Sequence, residues 1–260
     1  MTVTLKSRRQ IEVLREAGQL VRETFDLLRE YVRPGVTTAE LDAIAEEFIR
    51  SRGAEPVYKG YIPPGRRGQI SFPPFPATIC ASVNDVICHG IPSVRQRLRQ
   101  GDIIGIDIGL RYNGWIGDSC VTFPVGEVDT KTRQLLETTQ ECLMRGIEQA
   151  RVGKTLGDIG AAIQSYAEAQ GFSVVREYTG HGLGRNLHEE PTVLHYGQPG
   201  TGRKLLTGMV FTIEPMINAG QAGTKQDGDG WTVRTSDGSR SAQFEHTVAI
   251  TDDGPLVLTI

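Results

Sequence analysis

Leu98-Arg99-Gln100-Gly101-Asp102-Ile103-Ile104-Gly105-Ile106-Asp107 is answered by Leu205-Leu206-Thr207-Gly208-Met209-Val210-Phe211-Thr212-Ile213-Glu214. Each copy runs from a leucine through a glycine into an apolar strand that ends on a carboxylate. Each is preceded, at some distance, by a pair of helical patterns. Such a repeat predicts two related halves, roughly 1–125 and 126–260, meeting in one sheet. The fold class is therefore α+β with pseudo-two-fold symmetry, a single domain over 1–260.

Working outward, the first helix is signalled by Ser7 and Gln10 as a capping box. Ile11, Leu14, Ala17, Val21, Phe25 and Leu28 follow at three- and four-residue steps, and Pro34-Gly35 ends the pattern. Thr37 and Glu40 open a second helix with Leu41, Ile44, Ala45, Phe48 and Ile49 as its buried stripe, stopped at Gly53. The proline-rich stretch 56–78 reads as a loop that carries Phe72 and Phe75. Helices return at about 130–150 and 156–170, and short strands with glycine turns fill the remainder.

Composition narrows the function. The 260 residues carry 28 basic and 31 acidic side chains, a net charge of −3, which argues against general nucleic-acid binding. Cys80, Cys88, Cys120 and Cys142 form no Cys-x-x-Cys, so a thiolate zinc site is not expected, and their sparse use suits a reducing, cytoplasmic setting. No apolar run is long enough for a membrane span. The 31 glycines stand beside only five histidines, all after residue 88.

Asp107 lies between Ile106 and Ile108, where a bare carboxylate is costly unless it is paired or binds a metal. Asn113-Gly114 is a hairpin signal. A two-residue loop there sets Asp107 opposite Cys120 and Gly109 opposite Asp118. The two aspartates then share a face as diagonal neighbours, roughly 7–8 Å apart. A three-residue loop without a bulge would split them. Glu214 ends the second strand at Pro215. Glu245 falls in the alternating stretch Ala242–Ile250, which reads as one strand. With His181 in a glycine-rich turn, these four carboxylates compose an oxygen-rich site with one nitrogen donor. That set suits a pair of Mn²⁺, Fe²⁺, Co²⁺ or Zn²⁺ ions. Taken singly, each carboxylate reads as a surface residue or an ion-pair partner; their conjunction carries the inference.

The segments Ala81–Pro92, Gly180–Arg185, His188–Pro191, Phe211–Pro215 and Gln243–Thr247 resemble type I methionine aminopeptidases, in order and over nearly the whole chain. The likeness is to the short form without an N-terminal extension. It implies the pita-bread fold, a curved antiparallel sheet with helices on its outer face. It also implies two divalent ions held by Asp107, Asp118, His181, Glu214 and Glu245, with Asp118 and Glu245 bridging. His89 and His188 match substrate-contacting histidines, and Glu214 is the candidate proton carrier. Phe72, Phe75, Cys80, Leu187 and Trp231 match the methionine pocket. The bacterial pattern has tyrosines at the two phenylalanine positions and an aromatic at Leu187. Asn84, Val86 and Ser241 fall where backbone carbonyls hold a monovalent cation in the family. His195 and His246 match no assigned role.

The implied substrates are nascent polypeptides with a free N-terminal methionine and a small, uncharged second residue. A monomer is expected, without membrane or specific nucleic-acid partners. Arg66, Arg67, Arg95, Arg97 and Arg99 offer a transient ribosome contact, although a solvated face is the simpler reading. An X-Pro dipeptidase shares the five ligands but usually adds an N-terminal domain, and only 106 residues precede Asp107. A metal-free binding module of the same fold would be expected to have lost ligands. Type II enzymes carry a helical insertion between the matches to His188 and Glu214, where this chain has 25 residues.

Overall fold

The computed structural model describes residues 2–63 and 73–260. Both N-terminal capping boxes form as their sequences predict, and they start α1 (Arg8–Tyr31) and α2 (Thr38–Ser51). The apolar stripe of α1 is buried from Ile11 to Leu28, and Leu41, Ala45 and Ile49 of α2 are fully covered. Ile44 and Phe48 pack at the margin of the same cluster.

The first half continues with β1 (Glu55–Pro56), β2 (Ile79–Val83), β3 (Val86–Cys88), β4 (Ile103–Tyr112) and β5 (Trp115–Pro124). The second half repeats the order. Asp129 caps α3 (Thr130–Gln149), and Thr155 with Asp158 forms a third capping box on α4 (Leu156–Ala169). Then come β6 (Ser173–Val174), β7 (Gly180–Gly182), β8 (Glu189–Val193), β9 (Val210–Ile213), β10 (Met216–Asn218), β11 (Thr224–Gln226), β12 (Val233–Thr235), β13 (Ser241–Gln243), β14 (His246–Thr251) and β15 (Gly254–Val257). The strand pairings are antiparallel. One core lies between α1, α2 and β2–β4–β5; another lies between α3, α4 and β9, β10, β13 and β14.

The hairpin register is the one the two-residue turn demands. Asn113 and Gly114 both take positive φ, 49° and 78°, which matches the right-handed strand twist. Asp107 therefore opposes Cys120, and Gly109 opposes Asp118.

Two expectations need correction. The repeat strands β4 and β9 do not share one hydrogen-bonded sheet; they lie in separate ladders. The halves meet instead through the β3–β12 ladder and through polar links: Glu245 N donates to Cys120 O, Thr122 Oγ1 to Gln243 O, and Thr247 Oγ1 to Asp118 O. The stretch 242–250 is also not one strand. It breaks at Phe244 and Glu245, opposite the break at Glu214 and Pro215 between β9 and β10. Proline cannot donate to a ladder, and the Glu245 N–H is taken by β5 across the molecule. Ile213 pairs with His246 and Met216 with Gln243, so an unchanged register crosses the gap and sets Glu214 opposite Glu245.

Candidate metal centre

The hairpin brings Asp107 and Asp118 together, and the paired strand breaks bring Glu214 and Glu245. His181 enters on β7, whose flanking glycines let three backbones crowd together. A Cβ at Gly180 would lie 2.4 Å from Thr212 O, and one at Gly182 would lie 2.1 Å from Glu190 O. All five side chains line one cavity of about 440 Å³. Donor atoms of Asp118, His181 and Glu245 lie within 4.8 Å of one another.

The imidazole of His181 could serve as a metal ligand. Its Nδ1 is 3.1 Å from Gly182 O and donates to it, which leaves the Nε2 lone pair facing inward. Asp118 Oδ2 is 3.5 Å and Glu214 Oε1 3.8 Å from that Nε2. Burial holds the ring's pKa near 4, so it is neutral at neutral pH. Lone pairs of a neutral imidazole and two carboxylates thus converge on one place, an arrangement that a bound cation would relieve. The carboxylates report the same stress. Burial, followed by the charge of Asp118, pushes Asp107 well above the usual range. Burial, then the charges of Asp118 and Asp107, does the same to Glu214 and, with Glu214 added, to Glu245; burial takes Asp118 to about 7. Among the described residues, the basic side chain near Asp118 and Glu214 is the neutral His181, which supplies no compensating charge. The donor set fits divalent ions.

The cavity wall carries the predicted histidines. His89 holds a positive φ of 55°, a costly conformation for a side-chain-bearing residue. Its ring meets Tyr178 and Trp231 edge-on. The ring of His188 lies 4.2 Å from that of His181. Burial, then the neighbouring His181, lowers His188 to about 3, and burial takes His89 to about 4. Of the predicted methionine pocket, Phe75, Cys80, Leu187 and Trp231 line the cavity; Phe72 lies outside the described residues, as do Arg66 and Arg67. The Phe75 and Trp231 rings meet edge-on at 5.2 Å. Near the expected monovalent-cation position, Asn84 O accepts from Ser241 N, while Val86 pairs with Arg234.

Two tyrosines were missed. Tyr58 Oη lies 2.6 Å from Asp107 Oδ1 and 2.6 Å from Asp118 Oδ1, bridging the hairpin carboxylates. Tyr61 Oη is 2.9 Å from His188 Nδ1. The signal available was Tyr58-x-Gly60-Tyr61 at the start of the proline-rich stretch, two aromatics at the spacing of Phe72 and Phe75. Lys6 was also missed: its Nζ pairs with Glu189 at 2.6 Å, beside His188.

Comparison with known proteins agrees with this geometry. Residues 12–252 match the model of metallopeptidase family M24. The chain is 48% identical to methionine aminopeptidase 1 of Bacillus subtilis, over 99% of both chains. The crystal structure of methionine aminopeptidase from Rickettsia prowazekii superposes with a TM-score of 0.93 at 45% identity, covering all of both chains. A prolidase from Pyrococcus furiosus gives 0.76 at 23% identity over 98% of this chain and 65% of its own, a likeness of fold alone. The fold is the pita-bread fold, antiparallel sheets backed by helices.

Proposed function

The chain belongs to metallopeptidase family M24, and from that membership and the site's geometry we propose that it is a metal-dependent methionine aminopeptidase. It removes an N-terminal methionine when the next residue is small and uncharged. The observation that carries this reading is the convergence of four buried carboxylates and a neutral imidazole beneath an aromatic cavity. Asp107, Asp118, His181, Glu214 and Glu245 would hold two divalent ions, Asp118 and Glu245 between them. When bound, such ions lower the pKa of water and polarise a carbonyl.

The chain's own groups do the rest. Tyr61 donates to His188 Nδ1, which leaves Nε2–H to donate to the scissile carbonyl oxygen as charge grows there. Glu214 is steadied by Thr212 Oγ1 at 2.7 Å and Gln243 Nε2 at 3.3 Å. It takes the water proton and delivers it to the leaving amine. Neutral His89 contacts the amide nitrogen beyond the scissile bond. Phe75, Trp231 and Tyr61 offer ring edges and faces to the thioether, with Cys80 at the floor. A monovalent cation at Asn84, Val86 and Ser241 would tie β3 to β13.

The two halves act as one catalytic domain, and because all five donors come from one chain, a monomer suffices. The substrates are nascent polypeptides, and the exposed Arg95, Arg97 and Arg99 are the surface for transient ribosome contact. Four free, buried cysteines support a cytoplasmic setting, and no helix among the described residues is long and apolar enough to cross a membrane.

The test is release of methionine from a Met-Ala, Met-Gly, Met-Leu and Met-Lys peptide series. Each of Co²⁺, Mn²⁺, Fe²⁺ and Zn²⁺ is added singly to chelator-stripped protein. Cleavage of the first two peptides, abolished by N-acetylation, is expected. No methionine with any of the four ions would overturn the reading.

A further inference from the structure

We propose that His195 is a positioning residue whose Nε2 accepts the backbone N–H of Glu214 and thereby aims that carboxylate into the metal site. The hydrogen bond stands on geometry alone; its consequence for metal rests on the function proposed above.

The strand break creates the need. Between β9 and β10 the ladder lapses at Glu214 and Pro215, and a buried N–H without an acceptor is costly. At the facing break, Glu245 N is satisfied by Cys120 O. For Glu214 N the acceptor is His195 Nε2, at 3.1 Å. The donor and acceptor are separated by 19 residues in sequence, so the bond pins the loop after β8 to the end of β9.

The ring itself is held from behind. His195 is fully buried, at 0% exposure. A Cβ at Gly160 of α4 would lie 2.3 Å from Tyr196 O and 2.8 Å from Leu194 O. Helix α4 can press on the backbone either side of His195 only because that helical position is glycine. With Nε2 accepting, the ring proton of the neutral form is on Nδ1. That atom is buried and has no hydrogen-bond partner among the described residues. A residue present only to fill volume would not carry such an orphan donor, since leucine fills a similar space without one. The acceptor at Nε2 is what the histidine adds.

Two measurements test this. Long-range ¹H–¹⁵N spectra of the metal-free protein should show His195 protonated on Nδ1 and bare on Nε2. A protonated Nε2 would overturn the proposal whether or not the protein binds metal. The second is Mn²⁺ titration calorimetry on His195→Gln, His195→Asn and His195→Leu. Glutamine places an oxygen where Nε2 stood; asparagine places one where Nδ1 stood. Asparagine and leucine should weaken Mn²⁺ binding by about 10–100-fold and lower kcat with KM little changed. Glutamine should stay within about threefold of the wild type on the same scale. Should the leucine protein not fold, the glutamine and asparagine proteins still decide. Equal Mn²⁺ affinities for those two would overturn the positioning role. Wild-type protein that releases no methionine would instead overturn the function, leaving the tautomer to judge His195.

Discussion

In the β4–β5 hairpin, Asp107 and Asp118 sit inside a ladder that runs unbroken from Ile103 to Tyr112; across the cavity, Glu214 and Glu245 sit where both strands stop. Strand alternation alone places the aspartates, and short side chains reach. The glutamates need a gap, longer side chains and outside acceptors for their backbone N–H groups, Cys120 O and His195 Nε2. One half is thus organised locally, and the other depends on contacts distant in sequence. Damage far from the site should reach the glutamates more readily than the aspartates.

The largest effect tests the site itself. Glu245→Ala removes a proposed bridging donor from the broken side, and methionine release should fall at least about 10³-fold, the equivalent of several kcal/mol. Elemental analysis should find fewer than two ions per chain; two retained ions would contradict the bridging role. His188→Ala should lower kcat by about 10²-fold or more with metal content unchanged. An unaltered kcat in that variant would end the oxyanion assignment.

A paired comparison then sets one half against the other. Gly160→Ala forces a methyl group against Tyr196 O, and such overpacking costs about 1–3 kcal/mol. It should shift the resonances of His195 and Glu214 while those of Asp107 and Asp118 stay put. Tyr58→Phe removes the hydroxyl shared by the aspartates. It should change Mn²⁺ affinity by about tenfold, as loss of a group behind metal ligands does, with the His195 resonances unmoved. If Gly160→Ala disturbs both halves equally, the contrast between them is wrong.

How far the sequence was legible follows the same division. The hairpin could be read up to its loop length, because Asn113-Gly114 signals the turn, and a two-residue turn dictates which residues oppose. The capping boxes at Ser7 and Thr37 likewise act within four residues and were readable. The gap at Phe244 and Glu245 was not, since Ala242–Ile250 alternates like an ordinary strand. What breaks it is a hydrogen bond to Cys120, more than a hundred residues away. Pro215 marked the facing break, and the equal register across both could only be seen once paired. The five donors were identified by family resemblance as much as by chemistry. Tyr58 escaped because a tyrosine in a proline-rich stretch reads as loop packing, and nothing local shows that its hydroxyl reaches two aspartates. His195 escaped because its partner is a backbone N–H, which leaves no pattern in side chains.

The smallest effect concerns pH and the metal-free protein. Burial holds Asp118 near 7 against 3.8 for a free side chain. The stability its neutral form contributes is full below about pH 3.8 and is lost as pH rises through 7. The buried histidines run the other way. His188 and His195 are lowered to about 3, and His89, His181 and His246 to about 4. Their contribution is complete above 6.5 and is lost as pH falls toward those values. Between pH 6.5 and 8, then, the carboxylates dominate, and the melting temperature of the metal-free protein should fall. Each titrating group gives at most about 1.4 kcal/mol per pH unit, or roughly 2–4 °C in a chain of this size. Asp118→Asn cannot ionise and should flatten the slope. Saturating Mn²⁺ should reverse it in the wild type, because ions bind the deprotonated carboxylates. Equal slopes for the metal-free wild type and Asp118→Asn would mean that Asp118 carries no buried charge to relieve, and the metal's stabilisation would then have to come from Asp107, Glu214 and Glu245.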